Sequence, residues 1–373
     1  MQNYDSLRVY LNNERVGSLL TNTRGNLVSF SYDKVWLSNG FSISPFSLPL
    51  KEEVFVPEFN NPFEGLFGIF SDSLPDGWGR LVLDRLLRTN GINPYSIDSL
   101  NRLALIGSSG MGALRYEPEH KIGSISSYSS FDELAKQCQK ILESKEDYSD
   151  LDLLFALGGS SGGARPKVLV NIDSKPSIVK FKNSEDNENI GQQEYDYMAC
   201  AKECNIKVPN FNLLPSEKCK GYFSCERFDR KDGVPVHMAS VSALLETSHR
   251  IPNLDYNTLM ALTIKLTKGN TLQSESLYRL MCFNVFAHNR DDHSKNFSFL
   301  YVNNNWELSP AYDLTYSNSI GGEHATTING KGKNITLEDV VSVGIRGGLH
   351  KSLAIEIAEK IKTKVEKDLG QWL

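Results

Sequence analysis

The sequence has no apolar run long enough to span a bilayer, few cysteines for its length, and no large excess of charge. Its six cysteines are scattered over 373 residues, which argues against a disulfide framework and favours a reducing compartment. The formal net charge of -5 gives no general attraction for phosphate backbones, so non-specific nucleic-acid binding is disfavoured. Residues 1–5 are polar and no apolar signal segment follows, so we expect a cytoplasmic protein without membrane association.

The composition is that of a folded globular protein, with 40% hydrophobic and 23% charged residues. A chain of this length exceeds one ordinary hydrophobic core, so two lobes or domains are expected. A serine-rich stretch at residues 122–133 has loop composition and is the best linker candidate in the first half.

The pattern of apolar residues changes along the chain. Alternation between Leu7 and Leu20 around Asn12 predicts a β-hairpin, and apolar residues at helical spacing from Leu81 predict a helix. Residues 167–171 and 177–181 predict a second hairpin, because a short turn separates two β-branched runs. From Ser240 onward, helical spacing dominates.

The segment 286–300 is unusually polar between two apolar runs, which is more typical of a site than of a core. Asp291 and Asn296 reproduce the D-x-x-x-x-N spacing of a protein-kinase catalytic loop, and Arg290 precedes the aspartate as Arg does there. Asp313, after the next predicted hairpin, stands where a magnesium-binding carboxylate is expected. The pattern predicts phosphoryl transfer.

Two other interpretations of this segment stay open on spacing alone. The aspartates could form a solvated turn, with Asp313 as a helix cap. Alternatively, a metal-dependent phosphohydrolase would use His288, Asp291, Asp292 and His293 as ligands for zinc or manganese, but it would leave Asn296 without a role.

A glycine-rich turn at residues 158–167 stands upstream, between a helical run and the second hairpin. Its backbone N–H groups could approach phosphates closely, although a flexible turn explains the glycines equally well. Lys180 lies in the following strand, in a context similar to the kinase strand lysine, and an edge-strand lysine is the simpler explanation. The order of glycine turn, lysine, Asp291 and Asp313 favours the kinase interpretation.

Several motifs together resemble one known family, the HipA-like serine/threonine kinases, which are the toxins of bacterial toxin–antitoxin pairs. They lie at residues 74–80, 162–167, 226–230, 291–296 and 309–313. The resemblance implies an α+β, protein-kinase-like bilobal fold with a β-rich N-terminal half and a mainly helical C-terminal lobe. It implies an extra N-terminal subdomain at 1–115, a kinase N-lobe at 116–235 and a helical C-lobe at 236–373.

The resemblance also assigns expected roles within an ATP- and Mg²⁺-dependent site. Asp291 would be the catalytic carboxylate, with Lys180 on the α and β phosphates and Glu194 as its helix partner. The remaining expected contacts are magnesium at Asn296 and Asp313, phosphates at Gly162, Gly163, Ala164 and Lys167, and the adenine base at Glu226 and Phe228.

Regulation and partners follow from the same resemblance. Autophosphorylation is expected at Ser160 or the adjacent Ser161, ahead of the glycine turn. The expected substrate is a protein, with an aminoacyl-tRNA synthetase as the leading example, and the expected partner is a helix-turn-helix antitoxin of HipB type that alone contacts DNA. A catalytically silent partner of a DNA-binding repressor is the remaining alternative.

Overall fold

The computed structural model describes residues 3–22, 26–120, 128–143, 151–159 and 162–373. The chain divides into two compact units. Unit 1 comprises Met1–Gly191, Leu213–Ala239 and Ala243–Glu246, and unit 2 comprises Gln192–Asn212, Ser240–Ser242 and Thr247–Leu373. The predicted boundaries at 115/116 and 235/236 stay predictions.

In chain order, the helices and strands up to residue 120 are β1 (Ser6–Leu11), β2 (Glu14–Asn22), β3 (Leu27–Tyr32), α1 (Lys34–Asn39), β4 (Val54–Phe55), α2 (Gly68–Ser71), α3 (Gly77–Thr89), α4 (Ser99–Ile106) and β5 (Leu114–Glu117). From residue 128 to 246 they are α5 (Phe131–Glu143), α6 (Leu151–Gly158), β6 (Lys167–Ile172), β7 (Lys175–Lys180), α7 (Ile190–Glu203), β8 (Phe211–Leu214), β9 (Tyr222–Glu226), β10 (Arg230–Lys231), β11 (Val234–Pro235), β12 (His237–Ser240) and α8 (Val241–Leu244). The rest are β13 (Leu254–Asp255), α9 (Tyr256–Leu266), α10 (Thr271–Phe286), β14 (Ser298–Val302), β15 (Asn305–Leu308), β16 (Thr326–Thr327), α11 (Leu337–Arg346) and α12 (Lys351–Leu369), with short 3₁₀ helices at Pro94–Ser96, Ser294–Asn296 and Ile320–Gly322.

An antiparallel five-stranded sheet of order β4-β3-β2-β1-β5 forms the start of unit 1. The predicted first hairpin is confirmed as β1 and β2, and Asn12 takes the turn with φ of 54°, a conformation that asparagine tolerates. Leu7, Val9 and Leu19 are buried, because alternate strand residues point to the same face.

A second core in unit 1 joins helices to a hairpin. Trp78, Val82 and Leu86 follow one another at four-residue spacing on α3, so they share one face and pack with buried residues of α5, α6, β6 and β7. The predicted second hairpin is confirmed as β6 and β7, with left-handed Asp173 and Ser174 at its turn. The helix α3 is therefore fixed to the same core as the two strands that follow the glycine turn.

Unit 2 contains the helices α9 to α12, which confirms the predicted helical C-terminal half. Asp255 caps α9 by accepting the Asn257 N–H at 2.8 Å, and Thr336 and Asp339 form a reciprocal capping box on α11. The predicted strands before Asp313 are confirmed as the antiparallel β14–β15 hairpin.

The first half of the predicted linker at residues 122–133 lies outside the described residues, and its last three residues belong to α5. Across the described ranges, no helix is both long enough and apolar enough to cross a membrane.

Candidate functional site

The polar segment 287–297 connects the end of α10 to β14 in unit 2. Its backbone is hydrogen-bonded to its surroundings at several places. The Asn289 N–H donates to the Asn284 carbonyl at 2.9 Å, and the Ala325 N–H donates to the Arg290 carbonyl at 3.0 Å. Backbone groups that are paired in this way hold a non-helical segment in one conformation.

Asp291 and Asp292 are adjacent but lie in opposite environments. The side chain of Asp291 is 66% exposed, and that of Asp292 is 0% exposed. The Asp292 carboxylate accepts hydrogen bonds from the Tyr256 hydroxyl at 2.8 Å and from the Thr326 N–H at 3.1 Å. Its third donor is Nδ1 of His324 at 3.0 Å. A buried carboxylate is stable only with such donors, so Asp292 anchors the segment that presents Asp291 to solvent.

Two buried side-chain amides extend the hydrogen-bond network around Asp292. Nδ2 of Asn284 donates to the Tyr256 hydroxyl at 3.0 Å, and Nδ2 of Asn289 donates to Oδ1 of Asn284 at 2.9 Å. Burial and the nearby charge of Asp292 raise the pKa of Tyr256 well above its usual value, so its hydroxyl stays protonated and can donate. A hydrogen-bonded chain thus links the end of α10 to Asp292.

Asn296 closes the turn that begins at Asp291. Its Nδ2 donates to the Asp291 carbonyl at 2.6 Å, and its N–H donates to the His293 carbonyl at 2.8 Å. Nδ1 of His293 accepts the Lys295 N–H at 3.2 Å, which leaves Nε2 as its protonated nitrogen in the neutral ring, 4.0 Å from Oδ1 of Asp291. The five-residue spacing seen in the sequence therefore corresponds to a compact, hydrogen-bonded turn.

Asp313 follows a segment that is bound to the same turn. The Tyr312 hydroxyl donates to the Lys295 carbonyl at 2.6 Å and lies 2.6 Å from the Ser298 hydroxyl. Asp313 has φ of 53°, the left-handed region that few residues other than glycine, asparagine and aspartate adopt. Because their neighbours Tyr312 and Lys295 are hydrogen-bonded, Asp313 and Asn296 belong to one local structure.

The donor chemistry of Asn296 and Asp313 fits magnesium. Amide and carboxylate oxygens are hard ligands of the kind that Mg²⁺ prefers, and protein sites commonly supply only one or two of them beside substrate phosphates. Since Nδ2 of Asn296 donates to Asp291, the oxygen Oδ1 is the acceptor end of the amide. The pair can therefore serve as magnesium ligands.

The four residues of the phosphohydrolase alternative do not form a metal site. Among the residues that the structure describes, no three His, Cys, Asp or Glu side chains are grouped so that they could hold a metal ion. Asp292 is engaged by three internal donors, as above. Burial and the charge of Arg290 lower the pKa of His288, which has a left-handed backbone with φ of 50°.

The residues that anchor Asp292 were not found from the sequence. Tyr256 and His324 are 36 and 32 residues away from it, so no local spacing connects them. Asn284 carried the one usable signal, because a polar residue in the apolar run of α10 needs a buried partner.

The glycine turn lies in unit 1 between α6 and β6. Gly163 has φ of 88°, which requires glycine, and Ala164 is exposed. Ser160 and Ser161, the predicted phosphorylation sites, lie outside the described residues.

Two lysines stand opposite each other across the β6–β7 hairpin. Lys167 pairs with Lys180 in the register, so the two side chains lie on one face. Nζ of Lys167 donates to the Gly162 carbonyl at 2.5 Å, and Nζ of Lys180 lies 5.5 Å from the centre of the Phe223 ring. Two cationic side chains therefore share this face of the hairpin, next to the glycine turn.

Glu226 ends β9, and its carboxylate pairs with Nζ of Lys175 at 2.7 Å. Phe228, two residues later, is half-buried. Glu194 is buried on α7, in the second turn of the helix, so a favourable interaction with the helix dipole in the first turn does not explain it. The adenine contacts of Glu226 and Phe228, and the pairing of Glu194 with Lys180, stay predictions.

Three charged residues around Phe228 form a buried ion cluster, namely Arg227, Asp229 and Arg230. Asp229 is fully buried and accepts hydrogen bonds from Arg227 at 2.7 Å, Arg230 at 2.8 Å and the Gly112 N–H at 2.8 Å. Burial alone would raise the pKa of Asp229, but the two arginines hold it below its usual value. This ion cluster fastens the loop before β5 to the loop after β9.

Comparison with protein families matches both parts of the chain. Residues 7–117 match the HipA N-terminal domain, and residues 159–369 match the HipA-like C-terminal domain.

Individual relatives are distant but extend over most of the chain. A Sinorhizobium fredii protein named "Putative kinase Y4mE" is 26% identical over 83% of this chain and 76% of its own length. The Shewanella oneidensis protein named "Serine/threonine-protein kinase toxin HipA" is 22% identical over 83% of this chain and 74% of its own.

A solved structure shares the fold. HipA of Shewanella oneidensis, in a complex with HipB and its operator DNA, superposes with a TM-score of 0.74 over 98% of this chain and 90% of its own, at 19% identity. The predicted α+β fold class is thereby confirmed. The C-terminal match alone covers more than half of the sequence, and the chain belongs to the HipA family.

Proposed function

We propose that the chain is a serine/threonine protein kinase that transfers the γ-phosphoryl group of ATP to a protein. The observation that carries this proposal is the turn from Asp291 to Asn296. The exposed Asp291 carboxylate is held in place by its buried neighbour Asp292, and the side-chain amide of Asn296 closes the turn. Phosphoryl transfer needs positioning and charge neutralisation more than covalent chemistry, and a rigid turn with an accessible carboxylate supplies positioning. The kinase names of the relatives agree with it.

Each predicted site residue has a role in this mechanism. Asp291 would orient the attacking hydroxyl and accept its proton, while Asn296 and Asp313 would hold magnesium. Bound magnesium would supply charge neutralisation on the phosphates. Lys180 and Lys167 would bind phosphate oxygens as cations.

The backbone of the glycine turn would contribute N–H donors from Gly162 and Ala164. Gly163 would give the turn its shape, because its own N–H is hydrogen-bonded to the Asp76 carboxylate. Glu226 and Phe228 would contact the adenine base, and Glu194 would hold Lys180 in its binding orientation.

The same proposal extends to regulation and partners. Autophosphorylation at Ser160 or Ser161 would place negative charge beside the phosphate-binding turn and oppose ATP binding. The HipB of the solved complex suggests a helix-turn-helix antitoxin as the partner, through which the chain would reach DNA. An aminoacyl-tRNA synthetase is the first candidate to test as the protein substrate.

The test is an incubation of the full-length protein with a cell lysate, magnesium and γ-labelled ATP, followed by mass spectrometry of labelled proteins. The proposal expects labelled serine or threonine above the background of lysate alone with wild type, and only that background with Asp291→Asn. Asp232→Asn is the matched control, since Asp232 lies on an exposed turn of unit 1. Equal labelling by wild type and Asp291→Asn would refute the assignment of Asp291. Label at the background of lysate alone in every sample would favour a silent binding partner of a repressor.

A further inference from the structure

The aspartate that opens α3 contacts the glycine turn instead of its own helix. Asp76 stands at the N-cap of α3 with an extended backbone. An aspartate there usually accepts a hydrogen bond from an N–H of the first helical turn. Within residues 76–80, all of which the structure describes, the Asp76 carboxylate makes no capping bond of this kind. It accepts a hydrogen bond from the N–H of Gly163, 87 residues away.

The carbonyl of Gly163 is bound by the same segment. The Trp78 N–H donates to it at 2.9 Å. Trp78 is itself 1% exposed, and its side chain belongs to the core shared by α3, α5, α6 and the β6–β7 hairpin. Both backbone groups of Gly163 are therefore held by residues on a fixed helix end.

Gly77, between these two residues, permits the close approach. A Cβ atom added to it would lie 2.3 Å from the Gly163 oxygen, and its φ of +45° is also unfavourable for other residues. We call residues 76–78 the docking segment. Asp76 accepts the Gly163 N–H, Trp78 donates to the Gly163 carbonyl, and Gly77 permits their close approach. They form the middle of the sequence motif at residues 74–80, to which the proposed kinase mechanism assigns no role.

We propose that Asp76 is a positioning residue for ATP binding, acting through Gly163; this rests on the proposed function. A glycine-rich turn loses much conformational freedom when it is ordered on a ligand. A turn that is ordered beforehand binds with a smaller entropic cost. Asp76 lies in the part that matches the HipA N-terminal domain, and Gly163 lies in the part that matches the C-terminal domain. The N-terminal domain therefore positions the phosphate-binding turn of the C-terminal domain.

The kinetic test compares Asp76→Ala with Asp76→Asn in the full-length chain. Removing one hydrogen bond of about 1 kcal/mol should raise the KM for ATP about fivefold in Asp76→Ala, with kcat within about twofold of wild type. Asparagine keeps an acceptor oxygen, so Asp76→Asn should restore a near wild-type KM. An unchanged KM in Asp76→Ala, or an equal increase in Asp76→Asn, would overturn the role of the acceptor.

Hydrogen exchange without nucleotide separates this proposal from the kinase proposal. Amides in residues 162–167 should exchange about fivefold faster in Asp76→Ala and at the wild-type rate in Asp76→Asn. Asp98→Ala is the matched control, because Asp98 caps α4 in the ordinary way, accepting the Asn101 N–H at 2.7 Å. That variant should leave residues 162–167 unchanged.

The outcomes are distinct. If wild type binds no ATP, the kinase proposal fails, and the exchange data still report on the docking segment. If exchange in residues 162–167 is the same in wild type and Asp76→Ala, the docking segment does not order the turn.

Discussion

Nδ1 of His324 lies 3.0 Å from Oδ2 of Asp292, and both side chains are buried. A carboxylate can only accept here, so Nδ1 carries the proton and the ring orientation is fixed. The pair joins the segment around residue 324 to the turn that contains Asp291. The two adjacent aspartates therefore have different roles. Asp292 holds the turn in place, and Asp291 stays accessible to solvent.

These different roles predict that the same substitution lowers the stability of the fold at Asp292 and leaves it almost unchanged at Asp291. Asp292→Asn would turn an amide N–H₂ toward a donor and leave a buried group unpaired, which should lower the free energy of unfolding by about 3 kcal/mol. Asp291→Asn, on an exposed side chain, should change it by less than about 0.5 kcal/mol. Urea denaturation of both variants measures the two values. Similar stability losses in the two variants would contradict these different roles.

Asn296 is predicted to act through magnesium. Asn296→Ala removes the oxygen ligand and the bond to the Asp291 carbonyl, so the magnesium concentration for half-maximal activity should rise about tenfold, the equivalent of about 1.4 kcal/mol. Asn305→Ala is the control, because the exposed Asn305 amide also donates to a backbone carbonyl, that of Asn303 at 2.9 Å. A magnesium titration in which both variants match wild type would argue against Asn296 as a ligand.

The buried ion cluster of Asp229 should be essential for stability. Asp229→Asn would leave the charges of Arg227 and Arg230 without their carboxylate, and removing one partner of a buried ion pair costs about 3–5 kcal/mol. Thermal unfolding should therefore begin well below the wild-type temperature. Asp232→Asn, three residues on, should unfold like wild type. Unfolding of the Asp229 variant at the wild-type temperature would show that the cluster contributes nothing.

Stability should depend on pH through His237. Burial lowers its pKa to about 4 from an ordinary value of 6.5, although Nε2 contacts the Ile43 carbonyl at 2.8 Å. Below pH 6.5, His237 is protonated in the unfolded chain but stays neutral in the folded chain until the pH approaches 4. The folded state should therefore lose about 3 kcal/mol as the pH falls from 6.5 to 4, and nothing through this group above 6.5.

The measurement is the unfolding free energy between pH 4 and pH 8. His237→Gln does not titrate, so its curve should be flatter than that of wild type between pH 4 and 6.5. Parallel curves for the two proteins would exclude His237 as the cause.

The sequence was informative wherever the deciding contacts are local. Hairpin alternation around Asn12 and helical spacing from Leu81 depend on residues a few positions apart, and both elements are confirmed. The spacing of Asp291 and Asn296 is local in the same way, and the side chain of Asn296 does close that turn. Their catalytic roles stay predictions.

Contacts between distant positions were beyond sequence reasoning. Nothing near Asp292 indicated that it, and not Asp291, would be buried, because its donors Tyr256 and His324 come from distant segments. The motif at residues 74–80 is visible in the sequence, but the contact of Asp76 with Gly163 depends on how α3 packs on the shared core.

The central claim is that Asp291 is the catalytic carboxylate of an ATP-dependent kinase. The most direct measurement is ATP affinity and phosphoryl transfer on the same preparations of wild type and Asp291→Asn, with magnesium. We predict ATP affinities within about twofold and transfer that is slower by about a hundredfold or more in the variant, since a positioned base contributes about 10²–10⁴ in rate. Transfer at the wild-type rate by a folded, ATP-binding Asp291→Asn protein would contradict the account.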